Sequence, residues 1–387
     1  GSRINFFIMQ MLREQFLIDP TVAYLNHGSY GACPIPVFEA YQAYQKELET
    51  EPASLLYRDF ASRIQKSREQ LALFLNCQSD QLAFVRNATY GMNMAANSVD
   101  LQPGDKVLAT NFEYGAVERM WEMICAERGA ELVKVKIPLP YQSSEAMIQL
   151  FKSQIDSSIK VITFPHISAA TAQLFPIKDL VQLAKSHGAI SVIDGAHAPG
   201  QVNVNLKDID ADFYVGNCHK WMLSPKGVGF VYVARKWEDN IRPPAISWGN
   251  ISSGTNRLLL ENDWQGTTDI SPILAVEDSI TFLEENQWFN QVIPECSKLI
   301  DEFNTTILDV TGMRSLYDND CFEPPQMRSF LLPDGNHSSL HNRLFHDFMI
   351  ELPVFMDFED HFFRVSVQAY NNRSDLERLI DALKQLL

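Results

Sequence analysis

The chain lacks any long uninterrupted apolar run. Phe6 to Leu12 is apolar but short, and Arg13-Glu14 break it before a signal-peptide core could form. A bilayer span needs about 20 such residues, so no membrane segment is expected. Cysteine is sparse: the six, Cys33, Cys77, Cys125, Cys218, Cys296 and Cys321, are scattered and form no CxxC pair. That spacing disfavors a disulfide framework or a zinc site and points to reduced, mostly buried thiols in a cytoplasmic protein. Positive charge is also in deficit. Against 48 Asp and Glu stand 32 Lys and Arg, a net charge of -16, which argues against a general nucleic-acid surface because phosphate backbones need clustered cations. An acidic total leaves room for a locally basic pocket. No low-complexity tract or internal repeat is visible, and wholesale disorder is not expected. Gly1-Ser2 reads as a cloning scar.

What is present suits a large core. With 46% hydrophobic residues over 387 positions, the chain can build one large domain and a smaller one. Seven β-type runs are expected at Leu82 to Arg86, Lys106 to Thr110, Glu131 to Lys136, Lys160 to Phe164, Ala189 to Ile193, Asp212 to Val215 and Val228 to Val233. Helical spacing falls between them, over Tyr90 to Val99, Ala116 to Arg128, Ser144 to Ile155 and Ile177 to His187. Such alternation predicts an α/β fold with a mostly parallel, seven-stranded sheet covered on both faces. After Trp264-Gln265-Gly266-Thr267-Thr268 the character shifts. Two long helices are expected over Pro272 to Glu285 and Trp288 to Leu308, then a β-α-β-α stretch ending in Phe362 to Val367 and the helix Arg373 to Leu386. The expected division is a large domain over residues 24–270 and a smaller α+β domain over 271–387, joined by the segment 3–23.

Two strand ends carry the chemistry. Asp194 follows the apolar run Ala189 to Ile193, and Lys220 follows Asp212 to Val215 by a few residues. In an open α/β sheet, strand C-terminal ends converge on one rim, so this carboxylate and this amine can meet there. Such a pair is what pyridoxal phosphate chemistry requires: the amine forms an imine, and the acid keeps the pyridine nitrogen protonated. Each residue also has a plainer reading. Asp-Gly after a strand is a common turn, and most lysines are solvated surface charges. Asn87-Ala88-Thr89, between a strand and a helix, would offer N–H groups and a hydroxyl to a phosphate, or simply cap the helix. Arg364, inside the apolar stretch FFRVSVQAYNN, is costly unless a polar group satisfies it, and its planar fork suits a carboxylate. At an edge strand it could instead reach solvent.

These segments, AISVIDGAHAPG and ADFYVGNCHKWMLSPKGVGFVYV above all, resemble class-V aminotransferases of fold-type I, a group that includes cysteine desulfurases and isopenicillin N epimerases. The resemblance covers nearly the whole chain and implies pyridoxal 5'-phosphate as cofactor. It implies that Lys220 carries the cofactor and moves the α-proton, and that Asp194 faces the ring nitrogen with His197 beside the phenolic oxygen. It implies further that Ala88, Thr89, Asn217 and His219 surround the phosphate, that Tyr114 covers the ring (Gly115 if the alignment slips by one), and that Ser168 lies close to it. Thr267, in Gly266-Thr267-Thr268, would reach the neighbor's phosphate in a homodimer with a composite site. Arg364 would bind the substrate carboxylate, with Asn26 and His27 of the Tyr24 to Gly31 entry loop lining the mouth; Arg58 is a weaker candidate for a second carboxylate. Ala169 stands where cysteine desulfurases carry an asparagine. No cysteine lies between Cys321 and Arg364, where a desulfurase needs its thiolate. The Glu351 to Phe355 region looks most like isopenicillin N epimerases. The resemblance therefore implies an enzyme acting at the α-carbon of an amino-acid-like small molecule. Epimerization, β-elimination from a cysteine conjugate and transamination remain open, as does a catalytically silent binding or regulatory protein.

Overall fold

The computed structural model describes residues 9–251, 256–318 and 322–387, so Cys321 and the first part of the N-terminal segment lie outside the described residues. Twelve strands are described. They are β1 (Ala23–Tyr24), β2 (Leu82–Val85), β3 (Lys106–Thr110), β4 (Glu131–Val135), β5 (Ile159–Pro165), β6 (Ile190–Asp194), β7 (Phe213–Asn217), β8 (Gly229–Val233), β9 (Met327–Leu331), β10 (Ile350–Glu351), β11 (Val354–Phe355) and β12 (Phe362–Ser366). Seven of them form one sheet in the order β2-β8-β7-β6-β5-β3-β4. The pairings from β7 through β4 are parallel, and β8 runs antiparallel to both β7 and β2. Six of the seven strands carry almost no exposed side chain, as helices on both faces demand, while β4 at the edge is partly exposed.

The helices lie where the apolar spacing expects them. Over Ile177–Ser186 the buried positions are Ile177, Leu180, Val181 and Ala184, one stripe turned to the sheet. Helix Ala88–Ser98 crosses the sheet closely at Gly91, where an added Cβ would lie 2.6 Å from Val215 Cγ1 and 2.8 Å from Val231 Cγ2. That approach sets the helix N-terminus at the rim where β7 ends.

Two expected long helices are broken. Pro272 to Glu285 splits into Ser271–Leu274 and Val276–Glu285, because Ala275 adopts ψ -3°. Trp288 to Leu308 opens as a wide turn over Trp288–Val292 before the helix Ile293–Thr311. Pro294 lacks an N–H and cannot close a regular turn there. Two long helices before β2, Ile35–Thr50 and Phe60–Phe74, were not among the expected elements. β9, β11 and β12 form an antiparallel sheet in the order β11-β12-β9, and β1 pairs parallel with β10. The N-terminal segment is thereby tied to the C-terminal part of the chain. One continuous apolar core holds Tyr214 and Trp221 together with Ile300, Phe330 and Leu379.

Candidate active site

β6 and β7 lie side by side in register, Asp194 beside Val215, so their ends open on the same rim. Asp194 is the last residue of β6; Asn217 ends β7, and Lys220 follows in the turn beyond. Above them is a cavity of about 300 Å³. Its wall includes Asn87, Ala88, Thr89, Tyr114, Asp194, His197, Asn217, His219 and Lys220, together with Ser29, Tyr30, Gly31, Ala169 and Lys226.

Lys220 Nζ lies 3.3 Å from His197 Nε2. The indole N–H of Trp221 donates to His197 Nδ1 at 3.4 Å. Indole nitrogen can only donate, so Nδ1 is the acceptor and the proton of the neutral ring sits on Nε2. Burial holds His197 well below the usual histidine range, with the Lys220 and Arg364 charges adding to the effect, so the ring is neutral. Its Nε2–H then faces an amine that can accept only when it too is neutral. Burial, and next the Arg364 guanidinium, bring Lys220 down to about 8, against the opposing pull of Asp194. Asp194 accepts the Ala196 N–H at 3.0 Å. Burial raises its carboxyl, which Ala196 and Lys220 partly offset. Among the described residues no cationic side chain hydrogen-bonds or ion-pairs with Asp194.

Part of the cavity wall is the N-terminus of helix Ala88–Ser98. Asn87 caps it, its Oδ1 accepting the Tyr90 N–H at 2.9 Å, and Asn217 Oδ1 accepts the Ala88 N–H at 2.8 Å. His219 Nδ1 accepts the Val228 N–H at 3.2 Å, and burial brings this imidazole to about 4. Tyr114, half exposed, starts helix Gly115–Arg128 at the rim, and Gly115 beside it faces open space.

Arg364, in the middle of β12, is buried and has no carboxylate within ion-pair distance among the described residues. Its Nη1 donates to the Ala169 carbonyl at 2.5 Å and its Nη2 to Ser29 Oγ at 2.9 Å, while buried Nε has no partner. Phe355 lies against it, 5.4 Å from ring centroid to Cζ. Burial lowers even this guanidinium, to about 10. A fork already aimed by neutral groups and lacking a counter-ion is an arrangement suited to an incoming anion.

Other expected residues stand elsewhere. Ser168 is buried outside the lining, its Oγ donating to the Phe112 carbonyl at 3.4 Å and accepting the Thr171 N–H at 3.3 Å. Asn26 and His27 do not line the mouth: Asn26 Nδ2 donates to Glu351 at 3.3 Å, and both ring nitrogens of His27 are occupied within the fold. Thr267 is exposed and outside this cavity. Arg58 pairs with Glu51 on the surface. Sequence reasoning passed over Ser29, although the Gly-rich loop holding it was singled out, and passed over Lys226 in the turn after Lys220. It also missed Glu113, whose buried carboxyl accepts the Thr110 N–H and hydroxyl at 3.1 and 2.9 Å.

The sequence profile described as aminotransferase class-V matches residues 23–379. The chain belongs to the class-V aminotransferases. It is 30% identical to the isopenicillin N epimerase of Amycolatopsis lactamdurans over 97% of each protein. It is 27% identical to the putative L-cysteine desulfhydrase 1 of Oryza sativa subsp. japonica, over 95% of this chain and 83% of that one. Among solved structures, the complex of the cystine C–S lyase C-DES with cysteine persulfide superposes with a TM-score of 0.81 at 18% identity, covering 94% and 98% of the two chains. This is the fold-type I architecture, and the protein is a pyridoxal 5'-phosphate enzyme of class V. The cavity fits that group by its donors. It offers a buried amine of lowered pKa, a buried acid with no cationic side chain at ion-pair distance among the described residues, and a helix N-terminus. No described helix is long and apolar enough to cross a membrane.

Proposed function

We propose that the protein is an isopenicillin N epimerase-like enzyme acting at the α-carbon of an amino-acid or amino-acid-like substrate. The carrying observation is the buried Arg364 fork without a carboxylate, near enough to Lys220 to lower its pKa. Bound pyridoxal phosphate supplies an electron sink for charge that develops at Cα. Asp194 would hold the proton on the cofactor's ring nitrogen, and His197 Nε2–H would donate toward its phenolic oxygen. Ala88, Thr89, Asn217 and His219 would hold the phosphate, and Tyr114 would cover the ring. Arg364 grips the α-carboxylate at two points, which fixes the Cα–H bond toward Lys220. Lys220, whose Nζ is about half neutral near pH 8, takes the α-proton. Thr267 reaches the second site of a homodimer, and the protein works in the cytoplasm.

A second reading is a β-eliminating C–S lyase on a cysteine conjugate, favored by the desulfhydrase relatives over nearly the full chain. Persulfide transfer is disfavored. The segment from Val354 to His361 before Arg364 has no cysteine, and burial pushes the Cys33 thiol up to about 12. Incubation of the loaded enzyme with amino acids, small peptides and cysteine conjugates in D₂O separates the readings. Deuterium entering Cα with loss of optical rotation supports epimerization, and pyruvate with ammonia supports elimination. Neither signal from any substrate, with no borohydride-fixable cofactor on Lys220, would sink the enzyme reading altogether.

A further inference from the structure

The stretch His27-Gly28-Ser29-Tyr30-Gly31 touches both halves of the chemistry at once. His27 is fully buried, and its Nε2 lies 3.0 Å from the backbone carbonyl of Lys220. A carbonyl only accepts, so Nε2 carries the proton and donates. Nδ1 is therefore the acceptor, placed 3.3 Å from the Ala32 N–H and 2.9 Å from the Tyr370 hydroxyl. The ring also packs on Trp221, centroids 4.8 Å apart. Two residues on, Ser29 Oγ receives the Arg364 Nη2–H at 2.9 Å, and the Gly28 N–H donates to Ser366 Oγ at 3.2 Å in the same strand as Arg364.

The glycines allow this closeness. A Cβ on Gly31 would lie 2.7 Å from the carbonyl oxygens of His219 and Lys220 and 2.8 Å from Lys220 Cα. One on Gly28 would lie 2.9 Å from Met327 Sδ and Ser366 Oγ and 3.0 Å from Arg364 Nη2. Neither approach leaves room for a methyl group.

We infer that residues 27–31 are a positioning clamp, in which His27 and Gly31 fix the peptide of Lys220 while Gly28 and Ser29 fix the Arg364 fork, so that amine and carboxylate grip are held at one spacing. The inference rests on the assignment of Lys220 as the cofactor-carrying amine. It goes beyond that assignment by giving the entry loop a role that is not substrate contact. The charged and titratable groups acting on Lys220 are Arg364, Asp194, His197, His219 and His27 of the clamp itself, so loosening the clamp changes the burial of the amine and its separation from them.

The test follows the pH dependence with which the stripped protein recaptures added pyridoxal phosphate, fixed by borohydride and located by peptide mass spectrometry. The parent is expected to capture at Lys220 with a midpoint near 8. His27→Phe keeps the packing on Trp221 but loses the donor, and its midpoint is expected to rise by about one unit as water reaches the amine. His27→Gln, which retains an N–H donor, is expected to restore it. Gly31→Ala shifts the midpoint the same way, whereas Gly28→Ala and Ser29→Ala, which loosen the Arg364 fork, raise KM for the amino acid roughly tenfold. A folded His27→Phe or Gly31→Ala variant with the parental midpoint overturns the clamp while leaving the role of Lys220 intact. Absence of capture at Lys220 in the parent overturns the functional reading instead.

Discussion

Lys220 and Glu113 show how burial above all sets protonation at single residues. Lys220 is lowered to about 8, chiefly by burial and then by Arg364. The neutral amine is the reactive form, so modification of Lys220 by an amine reagent should rise with pH through about 8, well below an exposed lysine, and should vanish from that peptide in Lys220→Ala. Glu113 behaves oppositely: burial raises its carboxyl to about 8, against the Thr110 hydrogen bonds. A folded-state pKa above the unfolded one gives stability that is complete below about 4.5 and is lost as pH rises through 8. Glu113→Gln keeps the acceptor and removes the charge. The variant should match its parent near pH 5 and melt a few degrees higher at pH 9, at up to about 1.4 kcal/mol per pH unit across the window. A melting difference independent of pH would contradict this. Arg364→Leu should leave the folded state intact or tighten it, since it removes a buried cation with no counter-ion among the described residues, while KM rises at least about tenfold.

At the level of the element, the decisive piece is helix Ala88–Ser98. Its start is set by Asn87 capping Tyr90 and by Asn217 receiving the Ala88 N–H. Gly91 lets it lie flat on Val215 and Val231, which puts its first turn over the end of β7. Asn87→Ala should cost about 1 kcal/mol in denaturant unfolding, as loss of an N-cap usually does. It should also weaken cofactor retention in equilibrium dialysis, because the first turn frays where the phosphate is proposed to bind. Undiminished retention after a measured loss of helix stability would separate the cap from the phosphate site.

For the whole molecule, the continuous core argues for cooperativity. Residues of both proposed domains, 24–270 and 271–387, pack in one cluster, and β1 pairs with β10 across the division. Thermal unfolding of the chain should therefore follow one transition rather than two. The proposed dimer has its own test. If Thr267 serves the partner's site, Lys220→Ala and Thr267→Asp subunits are each inactive alone, but mixed dimers hold one site with both residues intact. Activity should reappear on mixing after reversible dissociation, and mixtures that stay inactive would refute the shared site.

By itself, the sequence determined the alternation of strands and helices, because runs such as Phe213–Asn217 and Gly229–Val233 are apolar enough to be strands only inside a covered sheet. It also determined that Asp194 and Lys220 leave neighboring strand ends, since chain order within a parallel sheet largely decides which ends are adjacent. Helix breaks at Ala275 and Pro294 blurred because apolar spacing continues through both. The tertiary structure alone decided what the entry loop touches. His27 lies 193 positions from the carbonyl it holds and Ser29 lies 335 from the guanidinium it receives, so no local pattern encodes either contact. Only chain folding brings such groups together, and in that closed space burial converts an ordinary lysine into a partly neutral amine.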